Sequence, residues 1–273
     1  MENQSTTFVP FMKKETRGRK PKIQVVKNNF IPESIKLVRG RDLNFNEALF
    51  VPLKTDREID VLLSTEKGLM PGTNMVIVGG PGSGKTTLTL DWLSDFTAKG
   101  YKVLFVSAEM DEIAYYKYCK RMPKFSIVQT LFLKNHADSV KETLEYVFDQ
   151  GYDVICIDSI AEVLGMYKDC FGGTETSAEF WFLHLQDKIK KGENSKNYFT
   201  SFINIQQTTK GNDFVGSNRL KHMTDAMAHI ERSKDGLERT LHFTKNRDCD
   251  KDFKMNFSFY NNEVNYTYES ISE

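Results

Sequence analysis

The chain has 273 residues, enough for one large α/β domain with tails, and 37 Lys and Arg balance 37 Asp and Glu, so no global field points to a polyanionic partner. Cys119, Cys156, Cys170 and Cys249 form no Cys-x-x-Cys pair, which argues against a zinc ribbon or a dithiol redox motif and suits a reducing cytosol. No apolar run reaches the ~18 residues that span a bilayer, and the polar N-terminus has no signal-peptide core, so a soluble, cytoplasmic protein without a membrane partner is expected (in the host cytoplasm if phage-encoded).

Residues 1–45 are polar and lack sustained periodicity, and are expected to form a largely disordered tail, with a short ordered stretch near Ile35–Val38. The first thirty hold seven cations (Lys13, Lys14, Arg17, Arg19, Lys20, Lys22, Lys27) against Glu2 and Glu15. Arg17-Gly18-Arg19-Lys20-Pro21-Lys22 resembles an AT-hook, whose Gly-Arg core enters a narrow A·T minor groove. Here Lys20 interrupts the usual Gly-Arg-Pro; a plain basic arm that binds phosphates without sequence preference is the other reading.

A folded core is expected over residues 46–268, with 269–273 as a short tail. Its first strand, Met75–Val78, runs into Gly79-Gly80-Pro81-Gly82-Ser83-Gly84-Lys85-Thr86-Thr87, which fits the G-x-x-x-x-G-K-[ST] pattern of a phosphate loop. The glycines let successive N–H groups converge on phosphate oxygens, Lys85 brings a cation to the β/γ-phosphates, and the Thr86 hydroxyl suits Mg²⁺. A helix over Thr86–Lys99 adds its N-terminal partial charge. The pattern predicts ATP and Mg²⁺ as cofactors. The next strand, Lys102–Ser107, delivers Glu109 beside the loop, placed either to activate an attacking water or as a first-turn residue of the helix Glu112–Met122.

Beyond a helix at Ser139–Asp149, the apolar strand Val154–Asp158 ends in a carboxylate where open parallel sheets bind ligands, so Asp158 is expected to hold Mg²⁺ or its water. A loop is expected at Lys168–Ser177, then a helix to Lys191, a strand at Ser201–Ile205 and a second loop at Lys210–Arg219. The strands Ala226–Glu231, Thr240–Thr244 and Met255–Tyr260 leave no room for helices and should form an antiparallel edge. His136, His184, His222, His229 and His242 show no metal-ligand spacing.

Gly68-Leu69-Met70-Pro71-Gly72, the phosphate loop, Val106-Ser107-Ala108-Glu109-Met110 and Ile157-Asp158-Ser159-Ile160 together resemble the RecA-like ATPase superfamily. Gln207-Thr208-Thr209-Lys210-Gly211, Phe214-Val215-Gly216-Ser217, Leu220-Lys221-His222-Met223-Thr224-Asp225 and Lys245-Asn246-Arg247 sharpen this toward the RadA/Sms branch, with DnaB-type helicases second. The resemblance covers about residues 55–260. Departures are Gln207 where RadA has histidine, and Asp248-Cys249 after Lys-Asn-Arg in place of Phe-Gly. No zinc ribbon or protease-like domain is expected.

The resemblance implies a RecA-like core with a mostly parallel sheet, helices on both faces and an antiparallel C-terminal edge. It implies a hexameric ring or filament with ATP at subunit interfaces, Gln207 as γ-phosphate sensor, and Lys245 and Arg247 reaching the neighbour's γ-phosphate. It further implies action on DNA, single-stranded above all, in recombination, repair or annealing, with Lys168, Lys210 and Arg219 touching phosphates and Phe171 or Phe214 stacking on a base. A helicase motor and a regulatory ATP-binding switch are the alternatives.

Overall fold

The structure, a computed structural model, describes residues 37–45, 47–208, 218–234, 236–249 and 253–268. Contacts divide the chain into two units, Met1–Asn44 and Phe45–Glu273. The described residues of the first unit are exposed and hold a 3₁₀ turn at Gly40–Asp42.

The second unit is organised around β1 (Asn74–Gly79), a strand buried at every residue. A short helix, α1 (Asp60–Leu63), precedes it. Then follow α2 (Lys85–Ala98), β2 (Val103–Ser107), α3 (Glu112–Arg121), β3 (Gln129–Phe132), α4 (Val140–Phe148), β4 (Val154–Asp158), α5 (Ile160–Phe171) and α6 (Glu175–Lys190). The chain continues through β5 (Ser201–Gln207), α7 (Asn218–Met223), β6 (Ala226–Arg232), β7 (Arg239–Asn246), β8 (Lys254–Tyr260) and β9 (Glu263–Tyr268).

The nine strands of the described residues share one sheet in the order β3-β2-β4-β5-β1-β6-β7-β8-β9. The first six strands pair in parallel and β7, β8 and β9 add antiparallel. β1 lies between β5 and β6, so the loop after it emerges at a crossover point of the sheet, where α/β folds bind ligands.

Side chains alternate across each strand, so one strand feeds two cores. Met75 and Ile77 of β1 join Phe105, Cys156, Ile203 and Ile205 beneath Leu88, Trp92 and Phe96 of α2. Val76 and Val78 point the other way, with Leu104, Val106, Ile155 and Ile157, under Leu144 and Phe148 of α4 and Phe182 and Leu183 of α6. Burial on both faces accounts for the uninterrupted apolar runs of the central strands. Among the described residues no helix is long and apolar enough to cross a membrane.

The expected antiparallel edge is present and one strand longer than expected. β9 pairs with β8 through a two-residue turn, Asn261 (φ 51) and Asn262 (φ 62), the left-handed conformation that a tight hairpin requires. β3 was also not expected; it is a four-residue edge strand with half-exposed side chains and carries little periodic signal.

The loop expected at Lys168–Ser177 is corrected. Ile160, Val163 and Leu164 put one apolar face of α5 into the core, and the helix continues to Phe171, so Lys168 is a helical residue. Gly172 (φ 68) and Gly173 (φ 94) end it. The Thr174 hydroxyl then caps α6 by accepting from the Ser177 N–H at 3.2 Å, leaving three residues between the helices.

Candidate nucleotide-binding site

β1 ends at Gly79, and Gly80–Gly84 turn the chain into α2 at Lys85. Two glycines are demanded by geometry. A Cβ on Gly79 would lie 2.7 Å from Ser83 Oγ and 2.9 Å from the Ile230 carbonyl oxygen; one on Gly84, at φ +97, would lie 2.7 Å from the Phe259 ring. The loop is thus pressed between β6 on one side and the β8–β9 hairpin on the other.

Lys85 is 7% exposed, and its ammonium donates to the carbonyls of Gly79 at 2.7 Å and Gly80 at 3.0 Å. Burial pushes its pKa below the usual lysine range, against the pull of Asp158 and Glu109. The Thr86 hydroxyl donates to Asp158 Oδ2 at 2.6 Å. Asp158 sits at the C-terminal end of β4, is 2% exposed, and has its carboxyl pushed up to about 6. Burial is the main cause; the Thr86 hydrogen bond opposes it, the Glu109 charge adds to it and Lys85 opposes it. The Asp158–Ser159 peptide bond is cis.

Glu109 arrives beside this pair because β2 and β4 are neighbours. The Asp158 carbonyl accepts from the N–H groups of Ala108 at 2.7 Å and Glu109 at 3.1 Å. From the next strand, β5, Gln207 Nε2 donates to Glu109 Oε1 at 3.2 Å. The C-terminal ends of β1, β2, β4 and β5 therefore bring Lys85, Thr86, Glu109, Asp158 and Gln207 to one cavity of about 640 Å³. Pro81, Gly82, Gly84 and Thr87 line it too.

The rest of its wall was not foreseen from the sequence. Tyr118 and Arg121 of α3 and the adjoining Met122 contribute, as do Arg239, Phe259, Asn261, Asn262 and Glu263 from the antiparallel edge. Arg239 Nε donates to the Ser83 carbonyl at 3.0 Å and its guanidinium lies 4.4 Å from the Phe259 ring centroid. The Asn-Asn pair before the final strand was the one readable signal, and it marks a hairpin rather than a site.

The donor set fits the groups expected there. A hydroxyl and a carboxylate in contact offer hard oxygen ligands, and Mg²⁺ takes few protein ligands when phosphates and waters supply the remainder. Among the described residues no group of three His, Cys, Asp or Glu side chains is arranged to hold a metal by itself. His229 and His242 stack on each other at 5.5 Å, and His184 stacks on Phe180 at 5.8 Å.

Other sequence candidates lie elsewhere. The Lys245 ammonium donates to the carbonyls of Lys221 (2.7 Å), His222 (3.4 Å) and Thr224, closing the C-terminal end of α7. Arg247 pairs with Asp225 at 2.9 Å while its side chain stays 60% exposed. Lys168 lines a separate cavity with Glu175, Glu179 and Leu220. Arg219, expected at the end of a loop, is in α7 with its guanidinium 5.0 Å from the Phe180 ring centroid. Arg17, Arg19, Lys20, Lys210 and Phe214 lie outside the described residues.

Comparison with known proteins agrees with this geometry. Residues 56–125 match the family described as "ATPase: KaiC". Two solved structures share the fold: the flagellar accessory protein FlaH from Methanocaldococcus jannaschii (TM-score 0.57, 13% identity, 80% of this chain and all of that one) and the RadB recombinase (TM-score 0.56, 18% identity, 78% and 98%). The chain has a RecA-like P-loop ATPase core. In sequence this core is similar to the DNA repair protein RadA: 29% identical over 196 residues to that of Campylobacter jejuni (70% of this chain, 41% of that protein) and 28% over 185 residues to that of Chlamydia muridarum (66% and 38%). The chain spans about two fifths of the length of these curated relatives. The RecA-like core thus has the mostly parallel sheet and antiparallel edge expected of it.

Proposed function

We propose that the protein binds and hydrolyses Mg-ATP in this cavity and acts, as a self-assembled RadA-like ATPase, on DNA in recombination, repair or strand annealing. The observation that carries the ATPase reading is the meeting of two contacts in one cavity, Thr86 with Asp158 and Gln207 with Glu109.

In this reading the N–H groups of Gly82–Thr87 and the Lys85 ammonium hold the phosphates, and Thr86 and Asp158 hold Mg²⁺. When bound, the metal ion neutralises charge on the phosphate oxygens. Glu109 orients a water and takes its proton. The Gln207 amide, already donating to Glu109, links the state of that carboxylate to β5. A second copy contributes Arg247 and Lys245, Lys245 leaving its carbonyl partners to do so; a cation that arrives only on assembly ties hydrolysis to oligomerisation.

The DNA reading rests on the likeness to RadA proteins and on the seven cations of residues 1–30. Its test is an ATPase assay with and without single-stranded DNA, together with binding at low salt. Stimulation and binding are expected. Hydrolysis without either would remove DNA from the reading, and no hydrolysis at all would remove the ATPase.

A further inference from the structure

With phosphates on the loop, the part of the cavity left for a nucleoside is walled by Tyr118, Arg121 and Met122 on one side and by the β8–β9 hairpin on the other. What fixes these walls lies beneath the cavity, at Asp91. This α2 residue is less than two turns beyond Lys85, and its carboxylate is 0% exposed.

Three segments converge on it. Arg57, ahead of α1, places Nη1 2.7 Å from Asp91 Oδ2 and 2.8 Å from Asp95 Oδ2. Lys124, in the 3₁₀ turn Pro123–Ile127 that directly follows Met122, places Nζ 2.5 Å from Asp91 Oδ1 and 3.0 Å from Asp95 Oδ1. Tyr266, in β9, donates its hydroxyl to Asp91 Oδ2 at 3.2 Å and accepts from Trp92 Nε1 at 2.9 Å. Arg57 closes the circuit on the hairpin. Its Nη2 donates to the Val264 carbonyl at 2.6 Å, and its guanidinium lies 4.9 Å from the Tyr266 ring centroid.

A buried charge cluster is a poor way to gain stability, since apolar side chains of similar volume do as well or better. What directional bonds add is a fixed mutual geometry. Here the parts fixed are the phosphate-loop helix, the turn that carries the α3 wall and the strand that carries the hairpin wall.

We propose that Asp91 and Tyr266 are positioning residues for the nucleoside end of the cavity: they set both walls relative to the phosphate loop, so that recognition of the nucleoside, and not of the phosphates, depends on them. The proposal rests on the reading of the cavity as an ATP site. It predicts a split that a general loss of structure would not produce.

The experiment titrates the full-length protein with ATP and with inorganic tripolyphosphate, both with Mg²⁺, in wild type, Asp91→Asn and Tyr266→Phe. Tyr266→Phe keeps the ring and its packing while removing the bridge to Asp91, so it carries the test where Asp91→Asn unfolds. ATP affinity is expected to fall about tenfold, the worth of one hydrogen bond to a charged group. Tripolyphosphate affinity should stay unchanged, and the KM for ATP should rise with kcat kept. Equal losses for both ligands, or no loss for ATP, overturn the positioning role while the ATP site stands. A wild-type protein that binds neither ligand overturns the ATP site and this proposal with it.

Discussion

Arg239 and Arg247 stand at opposite ends of one strand. Arg239 donates to the Ser83 carbonyl in the phosphate loop, whereas Arg247, one residue beyond β7, pairs with Asp225. Eight residues of extended chain at ~3.3 Å each put about 26 Å between them. No side chain covers that span, so Arg247 does not serve the phosphate loop of its own subunit. In its own subunit its guanidinium is held by Asp225 instead.

That distance makes a complementation test decisive. Arg247→Ala should bind ATP almost normally and hydrolyse it poorly, because its own loop is intact. Lys85→Ala should fail at binding and hydrolysis alike. Mixed together, the two should regain part of the lost turnover, since a Lys85→Ala subunit still offers its Arg247 to a neighbour's competent loop. Two proteins that co-assemble and stay inactive together would mean that Arg247 is not supplied to a neighbour's loop.

Glu109 and Lys85 should fail differently. Glu109→Gln leaves the loop, Thr86 and Asp158 in place, so ATP binding is retained while turnover falls by roughly 10²–10⁴, the range for losing a positioned general base. The replacement amide still allows a contact with Gln207, which keeps the change confined to the proton-accepting oxygen. Single-turnover hydrolysis with ATP pre-bound separates the two variants. Near-normal turnover in Glu109→Gln would move the base to another residue.

The strands that bring the glycine loop and Asp158 to one cavity were legible because each is a contiguous apolar run that ends at the cavity. The central parallel strands and α2, α3, α4 and α6 were legible for the same local reason. α5 was not. Gly165 lowers helix propensity within it, and Gly172 and Gly173 soon after its last apolar contacts read as part of a long loop. The hairpin wall was illegible on other grounds. Phe259 meets Gly84 only because the sheet brings β8 to the same side as the phosphate loop, three strands from β1, a relation that no local pattern records. Side-chain direction was equally hidden: Lys245 reads as a free cation in sequence but in the fold closes the end of α7.

The contact between Gly84 and Phe259 gives a stability prediction. Gly84→Ala introduces a Cβ 2.7 Å from the Phe259 ring at a backbone φ of +97. Left-handed strain contributes about 1–3 kcal/mol, and the overlap adds to it. Thermal unfolding should shift down and ATP affinity should fall with it. Phe259→Ala in the same chain removes the overlap but not the strain, so the double variant should lose less than the two single losses combined. Fully additive losses would mean that the hairpin gives way at no cost and does not press on the loop.

The basic tail gives the last test. Residues 1–30 carry seven cations and two acids, and among the described residues the two hydrophobic cores draw only on positions beyond 52. Deleting residues 1–30 should leave the melting temperature and the basal ATPase rate unchanged. If the tail neutralises DNA phosphates, each phosphate that it no longer neutralises reduces the dependence of log K on log salt by about 0.7 for a single strand. A tail that engages four phosphates therefore lowers the slope by roughly 3 when it is removed, a change visible in binding isotherms between low and moderate salt. The two readings of Arg17–Lys22 separate in the same experiment. A groove-binding arm takes the preference for A·T-rich duplex with it when deleted, whereas removing a plain basic arm weakens binding evenly across sequences. Unchanged affinity and slope would assign the seven cations to a partner other than DNA.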